Sequence, residues 1–131
     1  MSDPMHVLFV VDPLPDLKAY KDSSVAMMMG LTRRGHRVSV AMQADLFIDN
    51  GEVKAKSLPI RLHPEASLKG QGWWSEQAGT VELPLHAYDA VVMRKDPPFD
   101  MEYVYSSHLL EYAAQQGACV FNSGAAIRNH P

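Results

Sequence analysis

Residues 5–12, MHVLFVVD, constrain the fold more than any other stretch of this chain. Apolar side chains follow one another without the in-out alternation of a half-solvated strand, so both faces of the element must be buried. A strand buried on both faces belongs in a parallel sheet covered by helices on each side. The run stops at Asp12-Pro13, and the loop Pro13–Lys21 follows. Asp22-Ser23-Ser24 then supplies helix N-cap residues, whose side-chain oxygens accept from the first free N–H groups of a helix. That helix is predicted to run to about Arg34, with Met27, Met28 and Leu31 on its apolar side and Ala26 and Gly30 small enough for close packing. Arg33-Arg34-Gly35 gives it a basic last turn and a C-terminal glycine. Arg37–Met42 alternates as a strand, completing one βαβ unit, expected to be right-handed.

The middle of the chain reads differently. Leu46–Asp49 and Glu52–Lys56 flank Asn50-Gly51, the dipeptide that suits the two positive φ angles of a type I′ hairpin turn, and Leu58–His63 is a candidate extension. Residues 64–80 show weak periodicity and are expected to be irregular, anchored by Trp73 and Trp74. Regular structure resumes at Tyr88–Met93, a second doubly buried strand with Arg94–Phe99 as its exit loop. Asp100 is placed to cap a helix to about Gln116, ended by Gly117. Its expected core face is Met101, Val104, Tyr105, Leu109 and Ala113, with Phe99 stapled to Val104. Ala118–Phe121 is a short strand, and Asn122-Ser123 would cap a further helix. The fold class is α/β: a Rossmann-like parallel sheet with helices on both faces and an inserted β-hairpin.

Composition narrows the function classes. With 131 residues the chain suffices for one domain, expected to span 1–131. A net charge of -3 argues against nucleic-acid or anionic-membrane surfaces. No apolar run reaches the roughly 18 residues of a membrane span, and Met1–His6 lacks the features of an export signal. One cysteine, Cys119, rules out an internal disulfide and fits a cytoplasmic protein. Cys119 reads as a core residue rather than a nucleophile. The six histidines are scattered without ligand spacing, so no metal site is expected. There is no phosphate loop, dinucleotide fingerprint or nucleophile elbow, so no catalytic residue is assigned.

Chemistry concentrates at two strand ends. In open α/β sheets ligands bind beyond the carboxyl ends of the strands, where the strand order reverses. One strand end leads to Asp12-Pro13 and, across the loop, Lys21-Asp22-Ser23-Ser24. The other gives Arg94-Lys95-Asp96-Pro97-Pro98-Phe99-Asp100. If both strands are central, three cations, several carboxylates and a helix N-terminus with free N–H groups share one crevice. That mixture suits a small ligand with several carboxylates and an ammonium. Each feature also has a plain alternative: Asp-Pro as a turn, Asp22 and the serines as caps, Arg94 and Lys95 paired with Asp96 or Asp100. Arg-Lys-Asp at the exit of a buried strand, fixed by Pro97-Pro98 (a candidate for a cis bond), is the hardest to explain by solvation alone.

With those motifs in view, the chain resembles the N-terminal domain of bacterial glutathione synthetases, members of the ATP-grasp ligases. The string Met93-Arg94-Lys95-Asp96-Pro97-Pro98-Phe99-Asp100 is the most specific match. Asp12-Pro13, Lys21-Asp22-Ser23-Ser24 and Asn122 follow in the family's order, and the likeness covers essentially the whole chain apart from residues 64–80. The resemblance implies a full-length ligase that joins γ-glutamylcysteine to glycine with ATP and magnesium. The cysteinyl carboxylate is phosphorylated and then attacked by the glycine amine. It also implies that ATP and Mg²⁺ sit in later domains, that this pre-ATP-grasp domain binds neither, and that the chain alone is inactive.

Within that frame Arg94 is the expected carboxylate clamp, with Lys21 and Lys95 as secondary cations. Asp22, Ser23 and Ser24 would shape the helix-end site. Asp12 would meet the substrate amine or orient Lys21, and Asp96 and Asn122 complete the set. The implied partners are the two substrates, the missing ATP-grasp domains and a homo-oligomeric neighbour, with no nucleic acid and no membrane. Two other readings compete: a standalone regulatory module that senses a small anion, and an interaction domain using Trp73, Trp74 and the hairpin.

Overall fold

A computed structural model describes residues 4–19, 22–63, 72–94 and 101–122. The expected α/β architecture is present. Strand β1 (His6–Val10) leads through helix α1 (Ser23–Arg33) to β2 (Arg37–Ala41). An antiparallel excursion follows: β3 (Leu46–Asp49), β4 (Glu52–Leu62), β5 (Trp74–Glu76) and β6 (Val81–Pro84). The chain then returns through β7 (Ala90–Met93), helix α2 (Met101–Gln115) and β8 (Val120–Asn122).

The sheet order is β3-β4-β2-β1-β7-β8, with β5 and β6 both paired to β4. β2, β1, β7 and β8 are mutually parallel, whereas β4 runs antiparallel to β2. The inserted β3–β4 hairpin, with β5 and β6, therefore extends the sheet beyond β2. β1 lies inside the sheet between β2 and β7, and its side chains are buried on both faces because each face is covered. Leu8 and Val10 point into one core layer with Leu109, Leu110 and Ala113 of α2. Val7 and Phe9 point into the other with Val25, Met28 and Met29 of α1. The two helices thus cover opposite faces, each seated by a few fully buried aliphatic and thioether side chains.

Local signals predict several elements closely. Asp22 caps α1, Gly35 has φ +85° just past its end, and Gly117 has φ +105° just past α2. Asn50 and Gly51, at φ 53° and 77°, form the predicted hairpin turn. β4 is one eleven-residue strand that continues through Pro59, so Leu58–Leu62 extends the hairpin strand as the candidate extension had it. Proline is tolerated because β4 changes partners there: residues 52–57 pair with β3 and β6, and residues 58–62 with β2 and β5. Other expectations need correction. The expected irregular stretch contains β5 and a fully buried Trp73, and 64–71 lie outside the described residues.

On α1, Met27 is exposed while Met28 and Met29 are buried. On α2, Val104 and Tyr105 are exposed, and the buried arc is Ser106, Ser107, Leu109, Leu110 and Ala113. The core face includes hydroxyls because Ser106 Oγ donates to the buried Gln43 Oε1 at 3.0 Å, a pairing that hydrophobic periodicity does not reveal. Cys119 is exposed, contrary to the core reading, because it precedes the edge strand β8. Phe99 of the expected staple, the Asp100 cap, the Pro97-Pro98 peptide bonds and the helix expected after Asn122 lie outside the described residues. Among the described residues no helix is long and apolar enough to cross a membrane.

Candidate functional site

The strand order fixes where a site can form. From β1 the chain crosses to β2 on one side, and from β7 it crosses to β8 on the other, so the order reverses between β1 and β7. Their carboxyl ends are in register, Val10 opposite Met93. Asp12 leaves the first end and Arg94 the second, so the two sequence motifs meet at the switch point, the usual ligand position in such sheets.

Arg94 is held from both ends. Its backbone N–H donates to Val10 O at 2.9 Å, continuing the ladder one residue beyond β7. Its side chain reaches the start of α1, where Nε donates to Ser24 Oγ at 3.2 Å and Nη2 donates to Ser23 Oγ. A guanidinium has five N–H donors in a rigid fork, and these two bonds set its plane. Ser24 is buried and Ser23 exposed, so the fork runs from the protein toward solvent. Each serine accepts from arginine and so keeps its own hydroxyl hydrogen to donate elsewhere.

Asp22 is the N-cap of α1 that the sequence expects. Its Oδ1 accepts from Ser24 N at 2.8 Å and Val25 N at 3.2 Å. Two of the helix-end N–H groups, those of Ser24 and Val25, are therefore satisfied by the cap.

Asp12 lines a cleft of about 290 Å³ on the β2 side of the switch point, together with Ala41, Met42, Asp45, Lys56, Leu58 and Thr80. Sequence reasoning missed Lys56, Asp45 and Thr80 as neighbours of Asp12. Lys56 and Thr80 arrive through the antiparallel excursion, whose pairing to β2 had no local sequence signal, and Asp45 lies in the turn just before it. Asn122 sits opposite Met93 in the β7–β8 register, placing its backbone at the same sheet end. Lys21, Lys95 and Asp96 lie outside the described residues. Among the described residues no three His, Cys, Asp or Glu side chains come together as metal ligands.

The model of the prokaryotic glutathione synthetase N-terminal domain matches residues 5–128. Glutathione synthetase of Bordetella pertussis is 69% identical over 127 residues, covering 97% of this chain and 40% of that protein. The Neisseria meningitidis serogroup B glutathione synthetase is 42% identical over 125 residues, covering 95% of this chain and 39% of its own length. That of Escherichia coli O6:H1 is 36% identical over 120 residues, covering 92% and 36% respectively. The chain thus spans about two-fifths of the length of the curated relatives it matches.

Proposed function

Because this chain belongs to the family of prokaryotic glutathione synthetase N-terminal domains, we propose that it forms the peptide-binding side of a glutathione synthetase. In this reading the full-length enzyme joins γ-glutamylcysteine to glycine with ATP and magnesium in the cytoplasm. One observation carries the domain's role: Arg94 is fixed at the switch point by Ser23 and Ser24, its fork directed outward from a rigid strand end.

Arg94 forms two parallel hydrogen bonds to one carboxylate of the dipeptide. The Ser23 and Ser24 hydroxyls, already accepting from arginine, donate to the same group or orient it. The cysteinyl carboxylate is the one that reacts, so the clamp holds the glutamyl α-carboxylate, at the far end of the molecule. Asp12 receives the glutamyl ammonium, with Lys21, Lys95, Asp96 and Asn122 completing the pocket. The described residues offer no metal-ligand cluster, and no step here runs through ATP or magnesium. The domain's contribution is orientation, which by itself can lower a barrier substantially when the reacting atoms are held in line. The remaining domains, and any second copy in an oligomer, complete the cleft.

The test is Arg94→Lys in the full-length enzyme. Lysine keeps the charge and loses the fork. A charge-assisted bond contributes about 1.5–3 kcal/mol, so KM for γ-glutamylcysteine should rise roughly 10- to 150-fold while KM for ATP stays within about twofold. Equal changes in both KM values, or a loss confined to thermal stability, would remove Arg94 from the peptide site.

A further inference from the structure

The amino end of β2 carries two like charges side by side. β2 and β4 are antiparallel, with Val40 opposite Leu58, Ser39 opposite Pro59 and Val38 opposite Ile60. One step further out, Arg37, the first residue of β2, stands opposite Arg61 of β4. Val38, Val40, Ile60 and Leu62 pack in the core layer on the α1 side, so both arginines project from the other face of the sheet. Both are exposed. Residues directly opposite on one face have Cβ atoms about 4.5–5.5 Å apart, and like charges placed so destabilise the pairing.

No described residue neutralises this pair. Near its other end β4 ties Lys54 to Asp49 at 2.9 Å, but neither Arg37 nor Arg61 has an ion pair or side-chain hydrogen bond among the described residues. The same row across the sheet holds His6 beside Arg37 and Ser75 beside Arg61. Ser75 Oγ lies 2.9 Å from His63 Nε2. Of the nearby carboxylates, Asp89 accepts from the His6 backbone N–H at 2.7 Å, and Glu76 stands opposite Ile60, on the other face. Inward from this rim His6 is bonded to Ser39, and Tyr88 to Ser57. Arg33 and Arg34, exposed at the end of α1, add positive charge just before Arg37. Burial and the Arg37 charge together hold the His6 pKa below its ordinary value, which places that guanidinium's field at this corner. The chain as a whole has a net charge of -3, so the cationic corner is a local concentration and not a generally basic surface.

We propose that Arg37 and Arg61 form a binding site for a phosphoryl group, either free phosphate or a small phosphomonoester. The chemistry of the pair selects this class. One guanidinium fork already occupies both oxygens of a carboxylate. A phosphoryl group carries about two negative charges and three acceptor oxygens, so it engages two forks at once. Ser75 and His63 border the site beside Arg61. A bound phosphoryl group removes the repulsion across β2 and β4, which couples occupancy to the stability of this end of the sheet. The site lies at the opposite end of the parallel strands from Arg94, so it does not rest on the peptide-binding reading.

The experiment is thermal unfolding of the full-length protein as wild type, Arg37→Gln and Arg61→Gln, in chloride and in phosphate at matched ionic strength. In dilute chloride each variant should melt at or above the wild-type Tm, because one of two repelling charges is gone. With about 10 mM phosphate the wild-type Tm should rise about 2 °C more than that of either variant. The variants subtract whatever phosphate does elsewhere in the enzyme, so the sign of the substitution's effect inverts between the two salts. Glycerol 3-phosphate giving the same difference identifies a phosphomonoester site; a difference with phosphate alone identifies a site for the free ion. Equal phosphate shifts in wild type and variants would overturn the proposal. So would acetate reproducing the wild-type difference, which marks an unselective cationic patch. Variants less stable than wild type in chloride would also overturn it, since the arginines would then have partners within the protein.

Discussion

The two ends of the parallel sheet both carry polar side chains, and they use them in opposite ways. At the amino ends of the strands the groups inside the Arg37–Arg61 rim satisfy one another. His6 Nε2 and Ser39 Oγ are 2.7 Å apart, Tyr88 Oη and Ser57 Oγ are 2.5 Å apart, and the His6 and Tyr88 rings lie 4.8 Å apart. Asp89 accepts from the His6 backbone N–H at 2.7 Å. Ser39 and Ser57 are fully buried. At the carboxyl ends the bonds instead orient an outward fork, and the serines that hold it retain donors. Buried polar groups that close on themselves specify packing; polar groups fixed rigidly with capacity left over make a binding site. The difference teaches that polarity within a sheet is not itself a functional signal: what matters is whether the hydrogen bonds terminate inside the protein.

That contrast can be broken most sharply at Tyr88. Tyr88→Phe leaves the Ser57 hydroxyl buried without its partner, which costs about 1–3 kcal/mol. Thermal or denaturant unfolding should show this loss while KM for γ-glutamylcysteine in the full-length enzyme is unchanged; a selective rise in that KM would erase the distinction between the two ends. A somewhat smaller effect is expected at Asp22, whose carboxylate is committed to the α1 cap. Asp22→Ala should cost about 0.5–2 kcal/mol of stability, and Asp22→Ser should recover most of it. If Asp22→Ser remains as unstable as alanine, the cap is not what Asp22 supplies.

The smallest effect concerns pH. Burial pushes the His6 pKa down from its ordinary 6.5, helped by Arg37 and opposed by Asp89. The folded state therefore binds this proton less readily than the unfolded chain. Its share of stability is present above pH 6.5 and declines as pH falls through that value toward the lowered folded pKa. Replacing His6 with Gln should flatten this part of the stability profile, as measured by Tm between pH 7.5 and 5.5. An unchanged slope would show that His6 does not titrate differently on folding.

The sequence exposes those features whose cause is local. A strand apolar on both faces announces β1 and β7, Asp22 announces the start of α1, and Asn50-Gly51 announces the hairpin. Arg94 is legible because cation and Pro-Pro directly follow a buried strand. Features with a distant cause are not legible. The change of pairing partners along β4 at Ser57–Leu58 has no mark in the sequence. Ser106 counts as polar until Gln43, sixty-three positions away, receives its hydroxyl. The cleft beside Asp12 depends on Lys56 and Thr80, which reach it only through the sheet's antiparallel extension. Cys119 has the company of a core residue and the exposure of an edge.

The most direct measurement of the central claim is a two-by-two comparison of binding in the full-length protein. Wild type and Arg94→Ala are each titrated calorimetrically with γ-glutamylcysteine and with 4-aminobutyryl-cysteine, which lacks the glutamyl α-carboxylate. If Arg94 clamps that carboxylate, removing the guanidinium and removing the carboxylate delete the same interaction. Each single change should then weaken binding roughly 10- to 150-fold, and the double change should cost little more than either alone. Losses that multiply, so that Arg94→Ala weakens 4-aminobutyryl-cysteine as much as it weakens γ-glutamylcysteine, would show that Arg94 does not hold that carboxylate.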